Sequence, residues 1–181
     1  MTRPEGSAPR EEPRPGLDGE AAHHAAYLDF FRATCIEKCR SLPAAALRES
    51  RLPSGWAPLE LLFHLAHVER RWFTWGFLGE PVADPWGDSG GDGSQPWRVP
   101  SAFSLEAVVA MLEEQGERTR LVLAGNDLDA VAATGGRFGG RPGAEPPPDL
   151  RWICFHVLQE YARHAGHLDV AVELAGGRTG E

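Results

Sequence analysis

Lysine and asparagine are almost absent from this 181-residue chain, cysteine occurs only three times, and no apolar stretch reaches the length needed to span a bilayer. The shortage of lysine is not made good by arginine. Acidic residues outnumber basic ones 26 to 18, the formal net charge is −8 and the arginines are scattered. That excludes the basic stripe of a nucleic-acid-binding surface and any strong attraction to an anionic membrane. The N-terminal MTRPEGSAPREEPRPG has no apolar core of a secretory signal, which points to the cytoplasm. Cys35, Cys39 and Cys154 are an odd number in such a chain, so a disulfide framework is not expected. Cys35 and Cys39 stand one helical turn apart, but no second pair supports a thiolate metal site, and all three read as buried thiols.

What is present is helical periodicity. Residues 1–17 hold four prolines and little to bury, and are expected to be a disordered tail. From 17 to 42, Ala22, Ala26, Phe30, Ala33 and Ile36 recur every three or four residues, with Pro43 beyond them, which predicts a first helix. A second is predicted in WAPLELLFHLAHVERRWFTWGFLG, with Pro58 suited to a first helical position, Glu60 near the positive end and Gly79 as terminator. It is apolar nearly all round, which implies deep burial. Ser104 is a cap for a third helix ending at Gly125 and Asn126, and a fourth begins near Asp149. Two Gly/Pro-rich segments, 79–103 and 133–149, read as long loops whose glycines follow no strand, so neither a Rossmann turn nor a P-loop is supported. The expectation is an all-α four-helix bundle over 18–176, with two long loops and a short C-terminal tail at 177–181.

In the fourth helix, His156, Glu160, His164 and His167 are spaced four, four and three apart and share one stripe that overlaps the apolar face. Glu160 and His164 lie within about 40° of one another around the axis. A carboxylate and an imidazole facing a core need a partner, and a divalent cation satisfies both. Helix two offers His64 and His67, with Glu60 and Glu69 nearby; His64, between Phe63 and Leu65, is its best single donor. Mixed imidazole and carboxylate sets suit zinc first, with nickel, manganese and iron as alternatives. Against this stand the ordinary readings. A histidine on an apolar face is commonly a hydrogen-bonded core residue, His23 and His24 read as solvated, Glu69 as an exposed or salt-bridged residue or a support behind a ligand, and tryptophans in a bundle as core. Trp86 and Trp97, in the long loop, are harder to bury and are candidates to close over a pocket.

The segments PSGWAPLELLFHLAHVERRWFTWGF and LRWICFHVLQEYARHAGHLDV, together with YLDFFRATCIEKCRSL in helix one, resemble the signature regions of the DinB-like superfamily, in its bacterial branch related to mycothiol-dependent enzymes. The resemblance covers about 20–175. It implies a four-helix bundle holding a divalent metal through one histidine of helix two and a pair four apart on helix four. The Trp-x7-His pattern puts His64 in the first slot, His-x-Gly puts His164 in the last, and Glu160 stands four before it. Many relatives have a third histidine there; thiol-dependent maleylpyruvate isomerases of the superfamily have glutamate. Relatives of known activity use a low-molecular-weight thiol, mycothiol or bacillithiol, whose pKa the metal is thought to lower. The resemblance thus implies a metal- and thiol-dependent S-transferase or isomerase acting on a small electrophile, with His167 as a ligand-orienting group, a base or a substitute for Glu160. A non-catalytic stress-response or binding module with a structural metal is the alternative. Pairing of two copies through an apolar face is a further expectation.

Overall fold

A computed structural model describes residues 11–90, 96–139 and 145–177. Four α-helices account for most of it: α1 (Glu20–Arg40), α2 (Pro58–Glu69), α3 (Leu105–Gly125) and α4 (Leu150–Leu174). Among the described residues there is no strand, only an isolated bridge between Val131 and Asp149, and no helix is long and apolar enough to cross a membrane. Residues 1–10 of the expected tail, 178–181 at the other end, and 91–95 and 140–144 of the two loops lie outside the described residues. Residues 11–17 run alongside α1, where Tyr27 donates its hydroxyl hydrogen to Glu12 at 2.8 Å.

The helix ends follow the sequence signals. Ser104 Oγ accepts from the Ala107 amide and Asp149 Oδ1 from the Trp152 amide, each satisfying a donor of the first turn. At the start of α2, where Ala57 has no side-chain oxygen, Glu60 Oε2 reaches back to the Ala57 amide at 2.9 Å. Asn126 Nδ2 donates to the Val122 carbonyl and closes α3.

Around the bundle axis α1 and α2 lie on one diagonal, α3 and α4 on the other, so α2 packs against both α3 and α4. Leu59, Leu61, Leu62 and Leu65 of α2 are fully buried against Val108 and Leu112 of α3 and Ile153, Val157 and Leu168 of α4, as the all-round apolar character of this helix requires. Cys35, Cys39 and Cys154 are free and buried. Burial pushes the Cys35 and Cys154 thiols up to about 12.

Two features depart from expectation. The second helix does not remain α-helical to Gly79: from Arg70 to Phe77 it widens into a π-helical segment, with the Leu78 amide reaching the Phe73 carbonyl five residues back. The second loop is not wholly irregular, since it contains a 3-10 turn, Gly136–Phe138, that packs on the π segment. Gly136 has φ +56°, and a Cβ there would lie 2.1 Å from the Trp75 carbonyl oxygen, so only glycine allows this approach.

A polar cluster sits in the middle of the core. Glu69, 1% exposed, accepts two hydrogen bonds from Arg32 of α1 at 2.9 and 3.1 Å, one from Thr119 of α3 at 2.6 Å, and one from the Tyr161 hydroxyl of α4. It is therefore salt-bridged, as one of the expected alternatives had it, but in the core and not on an exposed face, and its four hydrogen bonds go to no residue of the candidate metal centre. Its neighbours Arg70 and Arg71 suggest a surface position, but the charge that pairs with it comes from α1, 37 residues away. Burial, with Glu69 beside it, raises the Tyr161 hydroxyl well above its ordinary value, so Tyr161 is a neutral donor. Arg32 reaches Glu69 across Gly116 of α3, where a Cβ would stand 2.6 Å from the guanidinium carbon.

Candidate metal centre

α2 and α4 bring His64, Glu160 and His164 together: one donor atom from each lies within 4.8 Å of the others. The rings of His64 and His164 meet edge to face at 5.2 Å. Both helices are built to hold these side chains, since the residues flanking them (Phe63, Leu65, Tyr161 and Ala165) are core.

Each donor is oriented by a partner. His64 Nδ1 bonds to Asp88 Oδ2 at 2.7 Å, leaving Nε2 as the nitrogen available for an ion. Glu160 Oε2 accepts from His164 Nε2 at 3.1 Å, and its other oxygen faces His156 Nε2 at 3.5 Å. His167 Nδ1 lies 3.4 Å from His164 Nδ1. Of the four residues of the α4 stripe, then, two supply donors to the cluster, His156 stands behind Glu160, and His167 stands behind His164 at the exposed margin.

The electrostatics favour the forms a cation would bind. Burial lowers the His64 pKa, with the Asp88 hydrogen bond opposing it, so the ring is neutral at pH 7. Hydrogen bonds from His156 and His164 hold the Glu160 carboxyl far below the usual carboxylate range against the opposing effect of burial, so it is ionised. Two imidazoles and one carboxylate match the mixed donor sets of zinc and its divalent neighbours. Tetrahedral zinc spaces its ligand atoms by roughly 3.4 Å, so donor atoms within 4.8 Å of one another are near enough that small side-chain movements could bring them round one ion.

Asp88 escapes a reading of the sequence. It sits in the long loop with Asp84 and other acidic residues, and no spacing distinguishes it. The fold does. The turn 84–89 carries Asp88 over the end of α2, where Arg71 Nη1 bonds Oδ1 at 2.6 Å. Gly87 permits the approach, because a Cβ there would lie 2.7 Å from Asp84 Oδ2 and 3.2 Å from His67 Nε2.

The aromatic residues also differ from expectation: none of the six tryptophans is fully buried. Trp97, from the long loop, stacks on His64 at 4.1 Å and meets His164 edge-on at 5.1 Å, covering one side of the cluster. Trp56 flanks His167 and Trp97, each at 6.3 Å. Trp86 lies under Arg71 instead. Large rings at this end of the bundle make a wall, whereas the core is filled mainly by aliphatic side chains, with Phe63, Phe73, Phe77 and Tyr161 among them.

The remaining histidines do other work. His67 is buried, bonded through Nδ1 to the Phe63 carbonyl at 3.0 Å, and does not join the cluster. His24 is not solvated: it is 6% exposed, packed edge-on against Phe155 of α4, because α1 carries it under that helix. His23 is half-buried and bonds back to the Gly19 carbonyl.

No curated protein matches this sequence. A family match does, described as mycothiol-S-transferase and extending over residues 24–177, which takes in all four bundle helices except the first turn of α1. The chain belongs to the mycothiol S-transferase family.

Proposed function

We propose that the protein is a divalent-metal-dependent S-transferase that joins a low-molecular-weight thiol of the mycothiol type to a small electrophile. The observation that carries this reading is the convergence of His64, Glu160 and His164 in a family whose name specifies the thiol. Zinc is the ion best suited to the set, with nickel, manganese and iron as alternatives.

Held by these three residues, the ion supplies Lewis acidity that lowers the pKa of a thiol brought next to it. The chain's own groups do the rest. Asp88 fixes the Nδ1–H tautomer of His64. Glu160 gives the donor set a single negative charge, which leaves a divalent site net positive and receptive to one anionic ligand. His164 can offer Nε2 only if its proton is on Nδ1, where it is donated to His167 Nδ1; His167 then presents Nε2–H outward. In this arrangement His167 is a hydrogen-bond donor at the mouth, placed to orient the electrophile or its leaving group, and not a base. Trp97 and Trp56 exclude water from one side. The reaction balances as a substitution: the thiol proton goes to solvent, the S–C bond forms, and the leaving group departs with the electrons of the broken bond.

The test is elemental analysis of untagged protein, followed by conjugation of mycothiol to a chromogenic aryl halide. About one divalent ion per chain is expected, lost in His64→Ala and Glu160→Ala, with conjugation abolished in His164→Ala. Full conjugation by metal-free protein would refute the proposal.

A further inference from the structure

Arg137 stands out because no carboxylate among the described residues balances its charge. It projects from the 3-10 turn onto the π segment, with its guanidinium carbon 4.1 Å from the centre of the Trp72 ring and 5.3 Å from that of Trp86. Its Nη1 is buried and has no hydrogen-bond partner, and no carboxylate pairs with it among the described residues. Other buried arginines are paired: Arg32 with Glu69, Arg71 with Asp88. A half-buried cation without an acceptor is costly unless an anion arrives. Burial, and then repulsion from Arg71, pull the Arg137 side chain down to about 10, in keeping with a missing counter-charge.

The site is built by the backbone around it. Gly76 of the π segment leaves room for Phe138 and the Arg137 stem, since a Cβ there would stand 3.3 Å from the Phe138 ring and 3.7 Å from Arg137 Cδ. Gly136 fixes the turn against the Trp75 carbonyl. Trp72 also touches His156, with ring centres 4.1 Å apart, and His156 stacks on Trp152, which is half exposed. His156 in turn faces Glu160. An aromatic shelf thus runs from the unpaired guanidinium toward the metal ligands and opens to solvent at Trp152.

We propose that Arg137 anchors a carboxylate of the electrophilic co-substrate, so that the enzyme's substrates are small, flat carboxylates laid along Trp72 and Trp152 with their reactive carbon toward Glu160. The assignment of the ligand as co-substrate rests on the transferase reading above; the carboxylate site itself does not. Besides the buried Nη1 the guanidinium has further N–H groups to donate to a carboxylate, and the indoles hold its plane.

Calorimetric titration of the full-length protein with benzoate, and with benzamide as its uncharged counterpart, tests this. Benzoate is expected to bind, benzamide not, and benzoate binding should weaken about tenfold or more in Arg137→Gln while Arg137→Lys retains part of it. His164→Ala, in which the metal site is broken, should bind benzoate as the wild type does, so the anion site and the metal reading fail separately. Benzoate should also raise the wild-type Tm where benzamide does not, a readout that needs no variant. Absence of benzoate binding to the wild type, equal binding of benzamide, or undiminished binding by a folded Arg137→Gln overturns the proposal.

Discussion

Replacing Asp88 with asparagine tests the link between the loop, Arg71 and the proposed metal ligand His64. The carboxylate uses both oxygens, Oδ1 for Arg71 at 2.6 Å and Oδ2 for His64 at 2.7 Å, and Asp88 is fully buried. Asparagine keeps the volume but has one acceptor, so either the imidazole loses its orienting partner or the buried guanidinium is left unpaired. Burial raises the Asp88 pKa, but hydrogen bonds from His64 and Arg71 outweigh it and bring the group from 3.8 to about 2. The gap between the unfolded and folded values corresponds to roughly 2 kcal/mol. Because the folded value is the lower one, this stabilisation is complete above pH ~4 and is lost as pH falls from about 4 through about 2. With the stranded Arg71 added, Asp88→Asn should cost about 2–4 kcal/mol at pH 7 and much less at pH 2. Its zinc affinity should fall by roughly 10- to 100-fold, the usual effect of removing a carboxylate behind a histidine ligand. Urea unfolding at the two pH values and zinc competition against a chromophoric chelator measure both. A variant equally destabilised at pH 2 and pH 7, or one with wild-type zinc affinity, would refute the reasoning.

Other expectations follow from the same geometry. His67→Ala should keep its metal where His64→Ala loses it, because His67 is bonded to the Phe63 carbonyl outside the cluster; elemental analysis of the two variants decides this. Glu69→Gln should destabilise the fold by about 3 kcal/mol in denaturant unfolding, since Arg32 would lose its buried counter-charge. Gly136→Ala should cost about 1–3 kcal/mol by thermal unfolding, from a positive φ and the approach to the Trp75 carbonyl. In the native state the three thiols should react with an aromatic disulfide far more slowly than in urea, given their burial and the raised pKa values of Cys35 and Cys154.

The parts of this molecule that are legible in its sequence are those governed by local chemistry. Ser104, Asp149 and Asn126 mark helix ends because the groups they satisfy lie within four residues, and Pro58 because the N–H it lacks would have no partner in the first turn. The stripe of α4 is visible because its period is that of the helix, and His64 because it interrupts an apolar run. What stays hidden depends on distant partners. Glu69 takes its place from Arg32, Asp88 from Arg71 and His64, and His24 from Phe155. The π segment, RRWFTWGF, is hidden for another reason: it contains neither proline nor an internal break until Gly76, so its hydrophobic spacing reads as ordinary helix.

The Glu69 cluster bears on how an ion would enter. Glu69 follows His64 by little more than one turn of α2, and its partner Tyr161 adjoins Glu160 on α4, so a single buried network ties α2 and α4 together beside the candidate donors themselves. The rotation of one helix against the other is thus set by the polypeptide. Binding need not be coupled to folding as it is in a zinc finger, and a chelator should return a folded, reloadable protein. In this bundle an ion would be a guest in a finished chamber, its loading waiting on the side chains around it and not on chain assembly.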